Sequence, residues 1–80
     1  MTLHILTPSE TLLDALEVAA VFLPGTLGEF EVLPHHAPII SSLEKGRILY
    51  RTPEGEEKTV QIASGFVTVA GDVIKACVEL

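Results

Sequence analysis

Turn signals break this chain roughly every 8–12 residues, and no segment between them holds a helical period beyond about two turns. Pro8, Pro24-Gly25, Gly28, Pro34, Pro38, Gly46, Pro53-Glu54-Gly55, Ser64-Gly65 and Gly71-Asp72 supply the breaks. Proline removes a ladder donor and fixes φ, and glycine supplies the positive φ of tight turns. The runs between the breaks are long enough for strands and too short for stable helices. The spacing predicts an all-β fold, a sandwich or a barrel, and of the two a small two-sheet β-sandwich of about ten short strands is expected.

Period-two alternation supports this. In residues 2–7, Leu3 and Ile5 share one face, with His4 and Leu6 on the other. Residues 12–16 form an irregular or strand-like crossing, because a helix capped by Ser9 would be too short to stand alone. Residues 18–23 are apolar throughout and predict a strand buried on both faces. In residues 47–52, Ile48 and Tyr50 oppose Leu49 and Arg51. A loop at residues 53–56 returns the chain with Val60 and Ile62 inward. Ser64-Gly65 predicts a bulge or bend, and Ala70-Gly71-Asp72 a hairpin turn.

The stiffest stretch is residues 28–44. Phe30 and Val32 point one way along a strand, and Glu29, Glu31 and Leu33 the other. Pro34 cannot continue the ladder, and Pro38 biases Ala37 toward extended geometry. His35 and His36 lie between them, so the chain presents a braced polar bend between two apolar runs. Such a bend serves to display side chains.

Eighty residues allow one domain, spanning 1–80. Hydrophobic residues make up 48% of the chain, enough for a core. Without Trp, that core is aliphatic, with Phe22, Phe30 and Phe66 as its largest pieces. The net charge of −6 disfavours nucleic acid and anionic lipid, which reward basic patches. A single cysteine, Cys77, allows no intrachain disulfide and fits a reducing compartment. No apolar run approaches the roughly 18 residues of a membrane span, and no export signal opens the chain. Direct membrane insertion is not expected. The last strand is expected over residues 73–78, just before Leu80, and no appended domain is expected.

Bond chemistry finds little support. His35, His36 and His4 lack metal-site spacing, because successive side chains diverge. Glu29 and Glu31 share a strand face, but a paired-carboxylate site needs a cleft and a carboxylate from elsewhere. Cys77 has no base or positive setting in the sequence. Ser64 is not in a nucleophile elbow, and no glycine loop leads into a helix. No catalytic, cofactor-binding or metal-ligating residue is expected. The alternative is a small β-sandwich enzyme or metal-binding module using His35, His36, Glu29 and Glu31. The apolar faces of residues 18–23 and 66–78 exceed what so small a body hides by itself, which suggests an interface.

Residues 24–38, Pro-Gly-Thr-Leu-Gly-Glu-Phe-Glu-Val-Leu-Pro-His-His-Ala-Pro, resemble the N-terminal domain of the epsilon subunit of F-type ATP synthases (delta in mitochondria). The opening Leu3-His4-Ile5-Leu6-Thr7-Pro8, the turn Leu43-Glu44-Lys45-Gly46 and residues 63–69 are similar to further parts of that family. His35 stands where many relatives carry glycine. Members commonly continue into a C-terminal helical hairpin. None is expected here, so the ATP binding and hydrolysis control assigned to that hairpin are not carried over.

The resemblance implies a non-catalytic rotor subunit of the central stalk. It would link the gamma subunit to the c-ring, couple ion-driven rotation to ATP synthesis, and touch the alpha/beta head indirectly. It would lie on the cytoplasmic face of the bacterial inner membrane and need no cofactor. By matched position, Glu29, His36 and Ser41, with neighbours Glu31 and Ser42, are expected on the ring-facing loop.

Overall fold

The structure, a computed structural model, describes residues 1–80. Nine strands and no helix follow one another: β1 Thr2–Leu6, β2 Thr11–Glu17, β3 Ala20–Gly25, β4 Gly28–Val32, β5 Ile39–Leu43, β6 Gly46–Arg51, β7 Glu57–Ile62, β8 Ser64–Ala70 and β9 Val73–Glu79. The order β2-β1-β9-β8-β5 forms one layer, and β4-β3-β6-β7 the other. The layers are joined in one curled path at the single register pair Gly25–Leu43. The all-β sandwich expected from the turn spacing is present.

The strand count is nine rather than about ten. Ser64-Gly65 opens β8 instead of forming a bulge, and the bend falls at Ala63. Residues 12–16 belong to β2, which pairs antiparallel with β1. The irregularity expected there is present, with two register shifts along β1, the second between Ile5–Leu13 and Leu6–Thr11. The pairing shifts register between Leu3–Leu16 and Ile5–Leu13, so Asp14 and Ala15 both lie opposite His4. Ala15 takes a φ of 55°, and its amide donates to His4 Nδ1 at 3.3 Å.

The core lies between the layers. Leu3, Ile5, Val67, Val69, Ile74, Ala76 and Val78 come from the first, and Val21, Leu23, Val32, Ile48, Tyr50 and Ile62 from the second. Each set follows the alternation of its strand. Burying one such aliphatic side chain stabilises the fold by about 1.5–3 kcal/mol.

The phenylalanines do not fill this core. Phe22 and Phe30 are half-buried, and Phe66 is 52% exposed. β3 is therefore not buried on both faces. Val21 and Leu23 point inward, while Phe22 faces out, where no further layer covers it. The largest enclosed side chains are leucines and isoleucines. Branched aliphatics fill the narrow space between two sheets at high density.

Strand direction fixes the ends of the sandwich. β1 and β9 run parallel, and β3 runs antiparallel to both β4 and β6. One end gathers residues 33–38, the β8–β9 turn and the start of β1. The other gathers the β3–β4 turn, the β5–β6 connection and the β1–β2 turn.

Candidate protein interface

Residues 33–38 cross from β4 in one layer to β5 in the other. The His36 amide donates to the Leu33 carbonyl at 3.2 Å, closing a four-residue turn. Pro34 occupies its second position. His35 occupies the third with a φ of 66°. That is the type II pattern, whose third position normally takes glycine. His36 Nδ1 lies 2.8 Å from the Ala37 carbonyl and donates to it. That leaves Nε2 as the ring nitrogen with no partner within the loop. Both histidines are exposed.

The His35 amide reaches across to Asp72 Oδ1 at 2.8 Å. This bond, first among its causes, holds the Asp72 carboxyl below its ordinary value. Asp72 sits in the β8–β9 turn beside Gly71, both with positive φ.

The five expected contact residues do not form one cluster. Glu29 and Glu31 lie on the outward side of β4, opposite Pro24 and Phe22, and both are exposed. β4 pairs only with β3, so these carboxylates also guard an open sheet edge. His36 lies past the far end of that strand. Ser41 is half-buried on the core-facing side of β5, opposite buried Val67, and its hydroxyl donates to the Ser42 carbonyl at 3.1 Å. Ser42 faces out and shares a 2.8 Å hydrogen bond with the Thr26 hydroxyl. Glu29 and Ser42 thus flank the β3–β4 turn, His36 is at the opposite end, and Ser41 points inside. Spacing along one loop hid this division, because the loop crosses between layers.

The β3–β4 turn itself was not singled out. Its tip, Leu27, is fully exposed between Thr26 and Gly28. Thr26 ties the turn to β5, its amide donating to the Ser42 carbonyl at 3.1 Å.

A second surface lies on the outer face of the β2-β1-β9-β8-β5 layer. Register aligns Ser42, Phe66, Cys77 and Leu6 in one row and Ile40, Thr68, Lys75 and His4 in the next. Ile40 is 84% exposed, and Cys77 and Leu6 are half-buried. A groove of about 780 Å³ opens beside the first row, lined by Leu6, Thr7, Glu10, Phe66, Cys77 and Val78 among others. Its lining mixes apolar Leu6, Phe66 and Val78 with polar Thr7 and Glu10, as protein contacts do. Alternation of residues 66–78 pointed to this face, but not to which rows align.

No three His, Cys, Asp or Glu side chains converge as a metal-holding group. His35 has Asp72 as its acidic neighbour, 4.0 Å from Nδ1, and Glu29 and Glu31 are on another strand. The arrangement offers surfaces for binding. No helix is long and apolar enough to cross a membrane.

The family described as the ATP synthase delta/epsilon chain β-sandwich domain matches residues 1–79. The chain is 45% identical over 69 residues to the ATP synthase epsilon chain of Sulfurovum sp. (strain NBC37-1), covering 86% of this chain and 53% of that one. It is 38% identical to that of Moorella thermoacetica, covering 92% and 54%. It is 38% identical to that of Chlorobaculum tepidum, covering 89% and 80%. The chain thus spans about half the length of the first two relatives. Among solved structures, a chain in the Euglena gracilis mitochondrial ATP synthase OSCP/F1/c-ring complex has a TM-score of 0.94 at 24% identity, covering 98% of this chain and 49% of that one. One in the central stalk/c-ring of Tetrahymena thermophila mitochondrial ATP synthase has a TM-score of 0.82 at 13% identity, covering 100% and 63%. At those identities the structures share the fold.

Proposed function

Because the chain belongs to the ATP synthase delta/epsilon-chain β-sandwich family, we propose that it is a rotor subunit of the central stalk, holding the gamma subunit at its side and the c-ring at one end. The observation that carries this reading is the pairing of two unlike surfaces on one stiff body. The apolar outer face with Phe66 and Ile40 suits a shaft protein lying alongside. The end bearing Leu27, Glu29 and Ser42 suits polar loops meeting it head on.

Mechanically, residues 1–80 act as one domain. Its core is close-packed across both layers, so a force at the end is passed to the side without internal slip. Rotation of the ring then turns the shaft, and ATP is made elsewhere in the complex. The subunit forms and breaks no bonds and needs no cofactor. It lies peripherally on the cytoplasmic side of the coupling membrane and meets the alpha/beta head indirectly.

Of the five residues expected at the ring, Glu29 and Ser42 remain in that role, with Glu31 along the same edge. Exposed carboxylates contribute about 0–1 kcal/mol each, so they set orientation more than affinity. His36, at the other end, contacts a different part of the assembly. Ser41 supports β5 from inside.

Reconstitution with solubilised complex lacking this subunit tests the proposal. Phe66→Glu is expected to abolish attachment to the shaft while the isolated domain stays folded, since the side chain is half-exposed. Attachment equal to wild type in Phe66→Glu, or no association of the wild-type chain with the complex, would overturn it.

A further inference from the structure

We propose that Asp72 is the positioning residue of the His36 corner: from the opposite side of the layer boundary, its carboxylate holds residues 33–38 in the one conformation a partner meets. The corner has few holds of its own. Pro34 and Pro38 carry no amide hydrogen, and the backbone supplies one bond, from the His36 amide to the Leu33 carbonyl. His35 must also keep a left-handed φ that its side chain disfavours. Such a conformation persists where surrounding contacts over-determine it. The 2.8 Å bond from the His35 amide to Asp72 Oδ1 is the contact that reaches it from outside the loop.

Asp72 is itself firmly placed. Gly71 and Asp72, both left-handed, form a two-residue turn closed by the Ala70–Val73 pair. The Asp72 carbonyl accepts the Thr2 amide at 3.0 Å, tying the same turn to β1. One residue therefore joins three chain segments at this end: the crossing loop, the β8–β9 hairpin and the first strand. A carboxylate accepting a backbone amide makes a charge-assisted bond, stronger than a neutral one. His35 Nδ1, 4.0 Å from Asp72 Oδ2, adds attraction when that ring is protonated. The anchored amide immediately precedes His36, so the clasp sets where that exposed ring sits.

This rests on the reading that His36 meets a partner, and the experiment separates the two ideas. Asp72→Gly keeps the left-handed turn and removes the acceptor. Asp72→Asn keeps both the turn preference and an acceptor oxygen. Amide exchange and ¹⁵N relaxation at residues 35–37 read the clasp directly, and reconstituted attachment reads the partner. Asp72→Gly is expected to speed exchange of the His35 amide about tenfold or more and to weaken attachment, the scale of one charge-assisted bond. Asp72→Asn is expected to restore most of both. Val60→Ala, which loosens the far sheet, is expected to lower the melting temperature without changing exchange at His35. An unchanged His35 amide in Asp72→Gly overturns the clasp. A loosened corner with undiminished attachment supports the clasp and overturns the contact role of His36.

Discussion

The two ends of this sandwich are held rigid by different physics. At the His36 end, side chains occupy strained backbone positions, His35 at φ 66° and Asp72 at φ 64°, and polar bonds across the layers hold them there. At the Leu27 end, glycines permit close approach instead. A Cβ on Gly25 would lie 2.7 Å from the Gly28 carbonyl oxygen and 2.9 Å from the Phe30 ring. One on Gly65 would lie 2.5 Å from the Cys77 carbonyl oxygen. One end is clasped and the other is wedged. A clasp can be loosened by protonation or by losing an acceptor, whereas a wedge fails by steric overlap.

The hardest test of this contrast is to add a methyl at the wedged end. Gly65→Ala and Gly25→Ala are each expected to lower stability by about 1–3 kcal/mol or more, because the clashes involve backbone that cannot step aside. Urea unfolding measures this, and tolerance of both would break the comparison. Gly28→Ala, at φ 127° in open space, is expected to cost about 1–3 kcal/mol from backbone strain alone. The reverse change at the clasped end, His35→Gly, should raise stability by roughly 0–1 kcal/mol. Relief of the left-handed strain is partly offset by the looser unfolded chain.

Acid should separate the ends further. The folded Asp72 carboxyl titrates below its ordinary value of 3.8, so its contribution is fully present above that value. It is lost as pH falls through the lower folded value, when the unfolded chain already binds the proton. Exchange at the His35 amide, corrected for intrinsic rates, should rise in that range, while amides at Gly25 and Gly65 should not. The smallest effect on stability is expected for Leu27→Ser, within about 0.5 kcal/mol, since the side chain touches nothing in the isolated body. Attachment to the reconstituted complex should nevertheless weaken. A variant that binds as wild type would remove Leu27 from the contact end.

Much of the fold was legible in the chain. Leu3 with Ile5, and Ile48 with Tyr50, were read as sharing strand faces, and all four are buried; of Val60 and Ile62, expected inward, Ile62 is buried and Val60 packs half-buried against the core. The turns at residues 53–56 and at Gly71-Asp72 fell where Pro and Gly put them. Phe22 and Phe66 misled because size is not burial, whereas Phe30 packs against the core from the face it shares with Val32. Whether an apolar residue is covered depends on which strand face meets the other layer. Ser41, expected on the ring-facing loop, lies on the core face of β5, one residue from the open face that Ser42 takes. An arginine at Ser41 would therefore strike the core side, and Ser42 is the better position for testing a contact.

Period-two patterning and the positions of proline and glycine are local properties, so the sequence alone determined where most strands run, which residues share a strand face, and that the chain bends sharply between Pro34 and Pro38. Which end each residue occupies was decided by tertiary structure. Glu29 and His36 are seven positions apart, yet strand direction sends them to opposite ends. Asp72 is 37 positions from His35 and becomes its neighbour. The reason is that alternation reports only a residue's own strand, whereas partners across a turn or a layer are chosen by pairing between distant strands.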